Sequence, residues 1–133
     1  MRVLAAALLL LTSACAAAAP AADPGPAGSF ALIRLNARDL PAESPTEPGV
    51  TVERGTLTLE ADGRFTMELA ARTGAQTAST QTVRGTYSAQ GDELALLPDG
   101  APEEAALRFT YSADRVGLRL RDERGNEYVF GRR

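Results

Sequence analysis

The sequence offers carboxylates and hydroxyls for chemistry, but it lacks the pairings that most hydrolytic enzymes use. It contains no histidine and a single cysteine, so neither a Ser-His nor a Cys-His pair can form. Five aspartates stand in turn-like contexts, where aspartate more often accepts backbone hydrogen bonds than it catalyses. They are Asp62, Asp92, Asp99, Asp114 and Asp122. No acidic spacing matches a calcium loop. We therefore predict a protein that is not an enzyme and that needs no metal or other cofactor.

Cys15 stands where an apolar run ends, and this position suggests its chemistry. The segment Leu11-Thr12-Ser13-Ala14-Cys15 resembles the lipobox of bacterial lipoproteins, in which small residues precede a cysteine. The resemblance implies a thioether-linked diacylglycerol on Cys15 and cleavage just before it. Each buried CH₂ of an acyl chain contributes ~0.8 kcal/mol, so several chains together anchor a protein to a membrane. The alternative is ordinary signal cleavage after Ala19, which would discard Cys15.

The N-terminal residues are typical of an export signal. Met1-Arg2 supplies a positive start, and residues 3–11 form an apolar run of ~9 residues, about half of a transmembrane span. We predict a signal peptide over residues 1–14, a lipid-anchored Ala/Pro-rich linker over residues 15–27 and one domain over residues 28–133. Ala16 after the cysteine resembles the sorting of lipoproteins to the outer membrane of double-membraned bacteria. Ordinary cleavage would instead leave a secreted or periplasmic protein.

The charge balance argues against nucleic acid as a partner. The formal net charge is −3 and the chain has no lysine, whereas nucleic-acid-binding domains are usually basic. Arg108, Arg119 and Arg121 fall on the outward-facing side of predicted strands. They would form a patch for anionic lipid or an acidic partner, or else a solvated face balanced by nearby acids. The sequence identifies no protein partner.

From Gly28 onward, short runs of alternating apolar and polar residues are separated by turn residues. The third run is the clearest, with Phe65 and Met67 on one face and Thr66 and Glu68 on the other. Eight such runs are predicted, at residues 29–35, 50–59, 64–71, 77–88, 93–97, 105–111, 116–121 and 127–131. A proline-rich loop over residues 36–49 separates the first two.

Eight consecutive strands joined mainly by tight turns predict an all-β fold. Such strands can close into an eight-stranded antiparallel up-and-down meander barrel, which removes the exposed edges of an open sheet. Gly85 shares a face with Val83 and Tyr87, and a glycine inside a strand often marks a bend or a close approach. A β-sandwich of two packed sheets is the alternative.

Strand and turn signatures over most of the chain point to a known framework. They are Phe30-Ala31-Leu32, Asn36, Leu40-Pro41, Gly55-Thr56-Leu57-Thr58-Leu59, Asp62-Gly63-Arg64-Phe65, Gly85-Thr86-Tyr87, Leu118-Arg119-Leu120 and Gly125-Asn126-Glu127-Tyr128-Val129-Phe130. From about Phe30 to the C-terminus the chain resembles the small lipocalin-like domains of secreted bacterial lipoproteins. The resemblance implies a lipocalin-like barrel and no particular chemistry.

Two functions suit such a barrel, and they differ in whether the interior is filled. The side chains predicted to face inward are Phe30, Leu32, Leu57, Leu59, Phe65, Met67, Leu69, Val83, Tyr87, Leu94, Leu96, Phe109, Tyr111, Leu118, Leu120, Tyr128 and Phe130. With strands of about six residues we expect this set to pack a solid core, as in a structural or protein–protein interaction module of the cell envelope. An unfilled interior would instead bind a small hydrophobic ligand, with Tyr87, Tyr111 and Tyr128 as its polar contacts.

Overall fold

The computed structural model describes residues 26–133, which fold almost entirely into β-strands. The strands are β1 (Gly28–Leu35), β2 (Arg38–Asp39), β3 (Ala42–Glu43), β4 (Val50–Leu59), β5 (Arg64–Thr73), β6 (Ser79–Gln90), β7 (Glu93–Pro98), β8 (Leu107–Ala113), β9 (Gly117–Arg121) and β10 (Glu127–Arg132). One 3₁₀ turn, Glu103–Ala105, precedes β8. The predicted signal peptide, Cys15 and most of the linker lie outside the described residues.

The eight longer strands form a closed antiparallel barrel. Each of β4 to β9 pairs with its successor, and β1 closes the ring because it pairs with both β10 and β4. Phe30, for example, lies opposite Arg132 of β10 and Leu57 of β4. The prediction of an eight-stranded meander barrel is confirmed, and the sandwich alternative is wrong because β1 joins the two edges of one continuous sheet. Every strand of the barrel lies within residues 28–132, so the barrel is complete without the predicted tether.

The proline-rich segment between β1 and β4 holds structure that the sequence pattern did not show. β2 pairs with the end of β1, and β3 pairs with the beginning of β4. Leu40 packs against the core, and Ala42 is buried. Two-residue strands are too short to produce a periodic pattern, which explains why this segment was predicted as a loop. The 3₁₀ turn likewise delays the start of β8 from the predicted residue 105 to Leu107.

The predicted inward set matches the hydrophobic core of the barrel. All seventeen side chains belong to the core cluster, ten of them buried and seven partly buried against it. The largest fully buried side chains include Phe30, Phe65, Leu57 and Leu94. Fully burying a side chain of this kind contributes about 1.5–3 kcal/mol. The alternation along each strand therefore identifies the face that packs into the core of the barrel.

Gly85 allows β6 and β7 to approach each other closely. A Cβ atom added at Gly85 would overlap the carbonyl oxygen of Leu97 and lie 2.8 Å from Cε1 of Phe65. Real Cβ atoms almost never come within 3.0 Å of such neighbours. The close approach that the sequence predicts at this glycine is confirmed.

Among residues 26–133, no helix has the length and apolar character needed to cross a bilayer.

Candidate ligand cavity at one end of the barrel

The interior of the barrel is filled at one end and hollow at the other. We call the end that carries the β4–β5, β6–β7 and β8–β9 turns the closed end, and the opposite end the open end. A cavity of about 450 Å³ lies at the open end. Its apolar lining comprises Leu32, Leu35, Val52, Leu57, Met67, Leu69, Leu96, Leu107, Phe109, Leu120 and Phe130. The expected solid core is therefore present only in the closed half.

The closed end is sealed by packing and by hydrogen bonds. The Tyr87 hydroxyl donates to the Glu60 carbonyl in the β4–β5 turn at 2.6 Å. The Arg132 guanidinium stacks on the Phe30 ring at 4.9 Å and donates to the Ala27 carbonyl at 3.1 Å. These contacts cover the core at the closed end. The polar groups that make them have their hydrogen-bond and cation–π partners within the protein. Within residues 26–133, the cavity consequently opens at the open end, where Ser44, Glu123 and Arg124 line it.

The structure separates the three tyrosines that the sequence grouped as polar contacts. Tyr128 lies at the start of β10 and lines the cavity. Tyr87 seals the closed end, and Tyr111 packs against the core without lining the cavity. Partial burial and, after it, the charge of Asp62 raise the pKa of Tyr87. A ligand-binding role for the three remains a prediction, and the geometry favours Tyr128.

Tyr128 contributes the hydroxyl that reaches the cavity wall. Its ring meets the Phe109 ring edge to face, with centroids 6.0 Å apart. Its hydroxyl donates to Oδ2 of Asp122, at 3.3 Å, and Asp122 also lines the cavity. Burial, followed by the charge of Asp122 and this hydrogen bond, raises the pKa of Tyr128 to about 12. The hydroxyl therefore keeps its proton at neutral pH and directs it at Asp122.

Asp122 is fixed by its own turn, between β9 and β10. Its Oδ1 accepts from the backbone N–H groups of Arg124 and Asn126, each at 2.9 Å, and its Oδ2 accepts from Asn126 Nδ2 at 3.0 Å. Burial raises the pKa of Asp122, but the hydrogen bonds from Asn126, Arg124 and Tyr128 outweigh it, so the net pKa lies below the ordinary value. The carboxylate is therefore ionised at neutral pH, with four donors pointing at it.

A second turn braces this part of the open end. Asn36 begins the β1–β2 hairpin, where it and Ala37 both have positive φ angles. The side-chain Nδ2 of Asn36 donates to Oδ1 of Asn126 at 3.1 Å. The Oδ1 of Asn36 accepts from the Glu127 backbone N–H at 2.8 Å. Asn126 thus connects Asp122 in the β9–β10 turn to Asn36 at the end of β1. Sequence reasoning placed Asp122 in a turn but missed its place at the cavity, because nothing in the spacing shows which end of the barrel is hollow.

Two of the three arginines predicted to face outward pair with acidic neighbours. Arg108 pairs with Glu93 at 2.7 Å, and Arg121 pairs with Glu127 at 3.4 Å. Both pairs are exposed, and such pairs contribute about 0–1 kcal/mol each. Arg108 also lines the cavity. A role for Arg108, Arg119 and Arg121 in binding a partner stays a prediction. Among the described residues, no group of three or more His, Cys, Asp or Glu side chains could hold a metal ion.

A solved structure of another protein shares this architecture. It is the crystal structure of a lipocalin-like protein from Bacteroides uniformis ATCC 8492, which superimposes with a TM-score of 0.55 at 18% sequence identity. The match covers 81% of this chain and 98% of that one. The fold is lipocalin-like. At this level of identity the likeness of the lipocalin-like barrel concerns architecture alone. No protein-family model and no curated protein matches the sequence.

Proposed function

We propose that this protein binds a small apolar molecule in the open end of its lipocalin-like barrel, as a lipid-anchored protein of the cell envelope. The cavity of about 450 Å³ carries this proposal. Small-molecule sites typically span ~300–1,000 Å³ and combine apolar walls with a few polar groups. The cavity meets both conditions, since Tyr128 and Asp122 are set among leucine and phenylalanine side chains.

The geometry suits binding better than turnover. The cavity is closed at its inner end by packed side chains, so an apolar ligand would exchange water for hydrocarbon over most of its surface. The β-strands that form its walls are held by continuous antiparallel pairing, which keeps the site formed before the ligand enters. Tyr128 and Asp122 hydrogen-bond each other, an arrangement that suits holding a ligand. We therefore propose a carrier or storage role without catalysis.

The envelope location rests on the sequence. Residues 3–11 are typical of a signal h-region, and Cys15 follows small residues as in a lipobox. A diacylglycerol on Cys15, a tether of about a dozen residues and a ligand-binding body form a consistent arrangement. Ala16 after the cysteine supports sorting to the outer membrane if the organism has two membranes.

Native mass spectrometry of the body, residues 20–133, purified gently from its host, tests the binding proposal. The body contains every strand and the whole described core. We expect a small molecule to co-purify in stoichiometric amount, or an added apolar compound to stabilise the fold. A ligand at about 100 times its Kd stabilises a protein by roughly 2.7 kcal/mol.

Two matched variants show whether the cavity is the site. Met67 lines the cavity, and Met67→Trp should fill it and weaken binding. Its neighbour Thr66 has its side chain on the outer face of the same strand, so Thr66→Trp adds the same group without touching the cavity. A bare mass together with no stabilisation by apolar compounds would contradict the binding proposal. The alternative function, a structural or protein–protein interaction module of the cell envelope, would then be favoured.

A further inference from the structure

The polar groups of Tyr128 and Asp122 on the cavity wall offer a ligand hydrogen-bond acceptors, and this bears on the ligand. The Tyr128 hydroxyl donates its hydrogen bond to Asp122, so only its lone pairs remain for a ligand. Asp122 presents an ionised carboxylate that already accepts from four donors. A ligand group that reaches this point therefore meets acceptors and negative charge rather than donors.

The connections at the open end have the same sign. They comprise residues 36–37, 40–41, 44–49, 74–78, 99–106 and 122–126, together with the short strands β2 and β3. Their acidic residues are Asp39, Glu43, Glu47, Asp99, Glu103, Glu104, Asp122 and Glu123, and their basic residues are Arg38 and Arg124. Asp39 and Asp99 are ion-paired with Arg34 and Arg64, which lie outside this set, so six acidic residues remain against two basic ones. This excess of negative charge around the entrance disfavours the approach of anions.

Two arginines line the cavity and are the groups that could oppose this tendency. The Arg108 guanidinium is engaged by Oε1 of Glu93 at 2.7 Å. Arg124 lies in the β9–β10 turn beside Glu123 and is exposed at the rim. The hydroxyls of Ser44 and Thr46, also on the rim, bond each other at 3.3 Å. Of the two arginines, Arg124 makes no ion pair with a carboxylate of the described residues, so it is the stronger competing anchor for an anionic ligand and can be tested directly.

From this arrangement we propose that the cavity selects apolar molecules whose polar end donates a hydrogen bond, such as a hydroxyl, over those that end in a carboxylate. The inference rests on the proposed function, since it concerns the ligand of the same cavity. An alcohol can donate to the free lone pairs of Tyr128 or to Asp122. A carboxylate finds no donor there and lies next to a like charge, which costs free energy in a partly buried site.

Competition against a shared fluorescent probe tests this selectivity. The body, residues 20–133, is loaded with N-phenyl-1-naphthylamine, a neutral apolar compound with one N–H donor. It is then titrated with 1-decanol, methyl decanoate and sodium decanoate at pH 8, below their micelle-forming concentrations. We expect decanol to displace the probe roughly tenfold or more better than decanoate, with the ester between them, because one unpaired or like-charged contact changes affinity on that scale.

Variants assign the selectivity to named groups. Asp122→Asn should narrow the gap between decanol and decanoate by about tenfold, and Tyr128→Phe should weaken decanol binding selectively. Asp114→Asn is the matched control, because Asp114 makes the same kind of turn contacts to Val116 and Gly117 at the closed end. It should leave the ratio unchanged. Circular dichroism checks that each variant is folded.

The outcomes separate this inference from the proposed function. If the probe does not bind, the proposed function fails and the selectivity fails with it. If the probe binds and decanoate displaces it as well as decanol does, the cavity binds ligands but our selectivity inference is wrong. Loss of decanoate binding in Arg124→Gln would then locate the anion at the rim. A tenfold preference for decanol that disappears in Asp122→Asn supports the inference.

Discussion

Gly85→Ala should destabilise the barrel strongly, because the added methyl has no space in the sheet. The new Cβ would overlap the carbonyl oxygen of Leu97 and lie 2.8 Å from its carbonyl carbon. Both atoms belong to the β7 backbone, which lies opposite β6 in continuous register from Gly85–Pro98 to Gln90–Glu93. No side-chain rotation can relieve this contact. The two strands must move apart, at the expense of the hydrogen bonds between them and of the packing on Phe65.

The expected change in the free energy of unfolding follows from two opposing contributions. Overpacking a tight site typically costs 1–3 kcal/mol, and displacing backbone places this case at the upper end or above it. Replacing glycine by alanine also restricts the unfolded chain, which stabilises the fold by ~0.4–1 kcal/mol. We therefore expect a net loss of about 2–4 kcal/mol in the free energy of unfolding, which is large for a single methyl group.

Gly131→Ala is the matched control. Gly131 is also a strand glycine without a positive φ angle, and its added Cβ would meet only the Ile33 side chain, with Cδ1 at 3.0 Å and Cγ1 at 3.6 Å. That side chain is flexible and 48% exposed, so it can turn away. We expect this variant to lie within about 1 kcal/mol of the parent protein.

Urea unfolding of the body, residues 20–133, followed by far-ultraviolet circular dichroism, measures both variants. The slope with urea should stay the same while the midpoint of Gly85→Ala falls, since the variant changes stability rather than the area exposed on unfolding. Equal midpoints for Gly85→Ala and Gly131→Ala would refute the close approach of β6 and β7 at Leu97.

Three further predictions follow from the anchor and the cavity. Cys15→Ser should abolish lipid attachment, measured as loss of the diacylglyceryl mass on the N-terminal peptide; a lipid mass that persists would exclude Cys15 as the site. The pKa of Asp122 is lowered in the folded protein, so its stabilisation is present above pH ~4 and is lost as pH falls through the folded pKa. Asp122→Asn should flatten this acid decline in urea midpoints, and an unchanged decline would contradict it. The raised pKa of Tyr128, about 12, means that stability falls as pH rises above ~10, where the unfolded chain ionises first. Tyr128→Phe should reduce that alkaline loss, and an identical profile would argue against its burial beside Asp122.

The strands and the core were predictable because alternation along a strand directly records which face is buried. Phe65, Met67 and Leu69 show this best, since each stands between polar neighbours on one long strand. The same pattern gives the number of strands, and turn residues such as Asp62-Gly63 give their order. Inward-facing positions and the meander could therefore be read without a structure.

The cavity was not predictable in this way, because a list of inward residues does not give the volume they enclose. The solid core was expected from strands of about six residues, although the predicted runs 50–59 and 77–88 already had the lengths of 10 and 12 residues that β4 and β6 have, and β5 also has 10. At ~3.3 Å per residue these strands extend the wall beyond the packed layers. The pairing of Tyr128 with Asp122 depends on the geometry of the β9–β10 turn, which the sequence does not specify.

The start of β1 at the closed end determines how the proposed lipoprotein faces its membrane. Ala27 lies beside Arg132, so the tether from Cys15 leaves the barrel at the end opposite the cavity entrance. A dozen residues span at most roughly 40 Å, so an anchored barrel would be attached through its closed end, with the entrance at the far end from the attachment. This attachment favours ligand exchange with the aqueous compartment or a soluble donor over entry of lipid from the leaflet that holds the anchor.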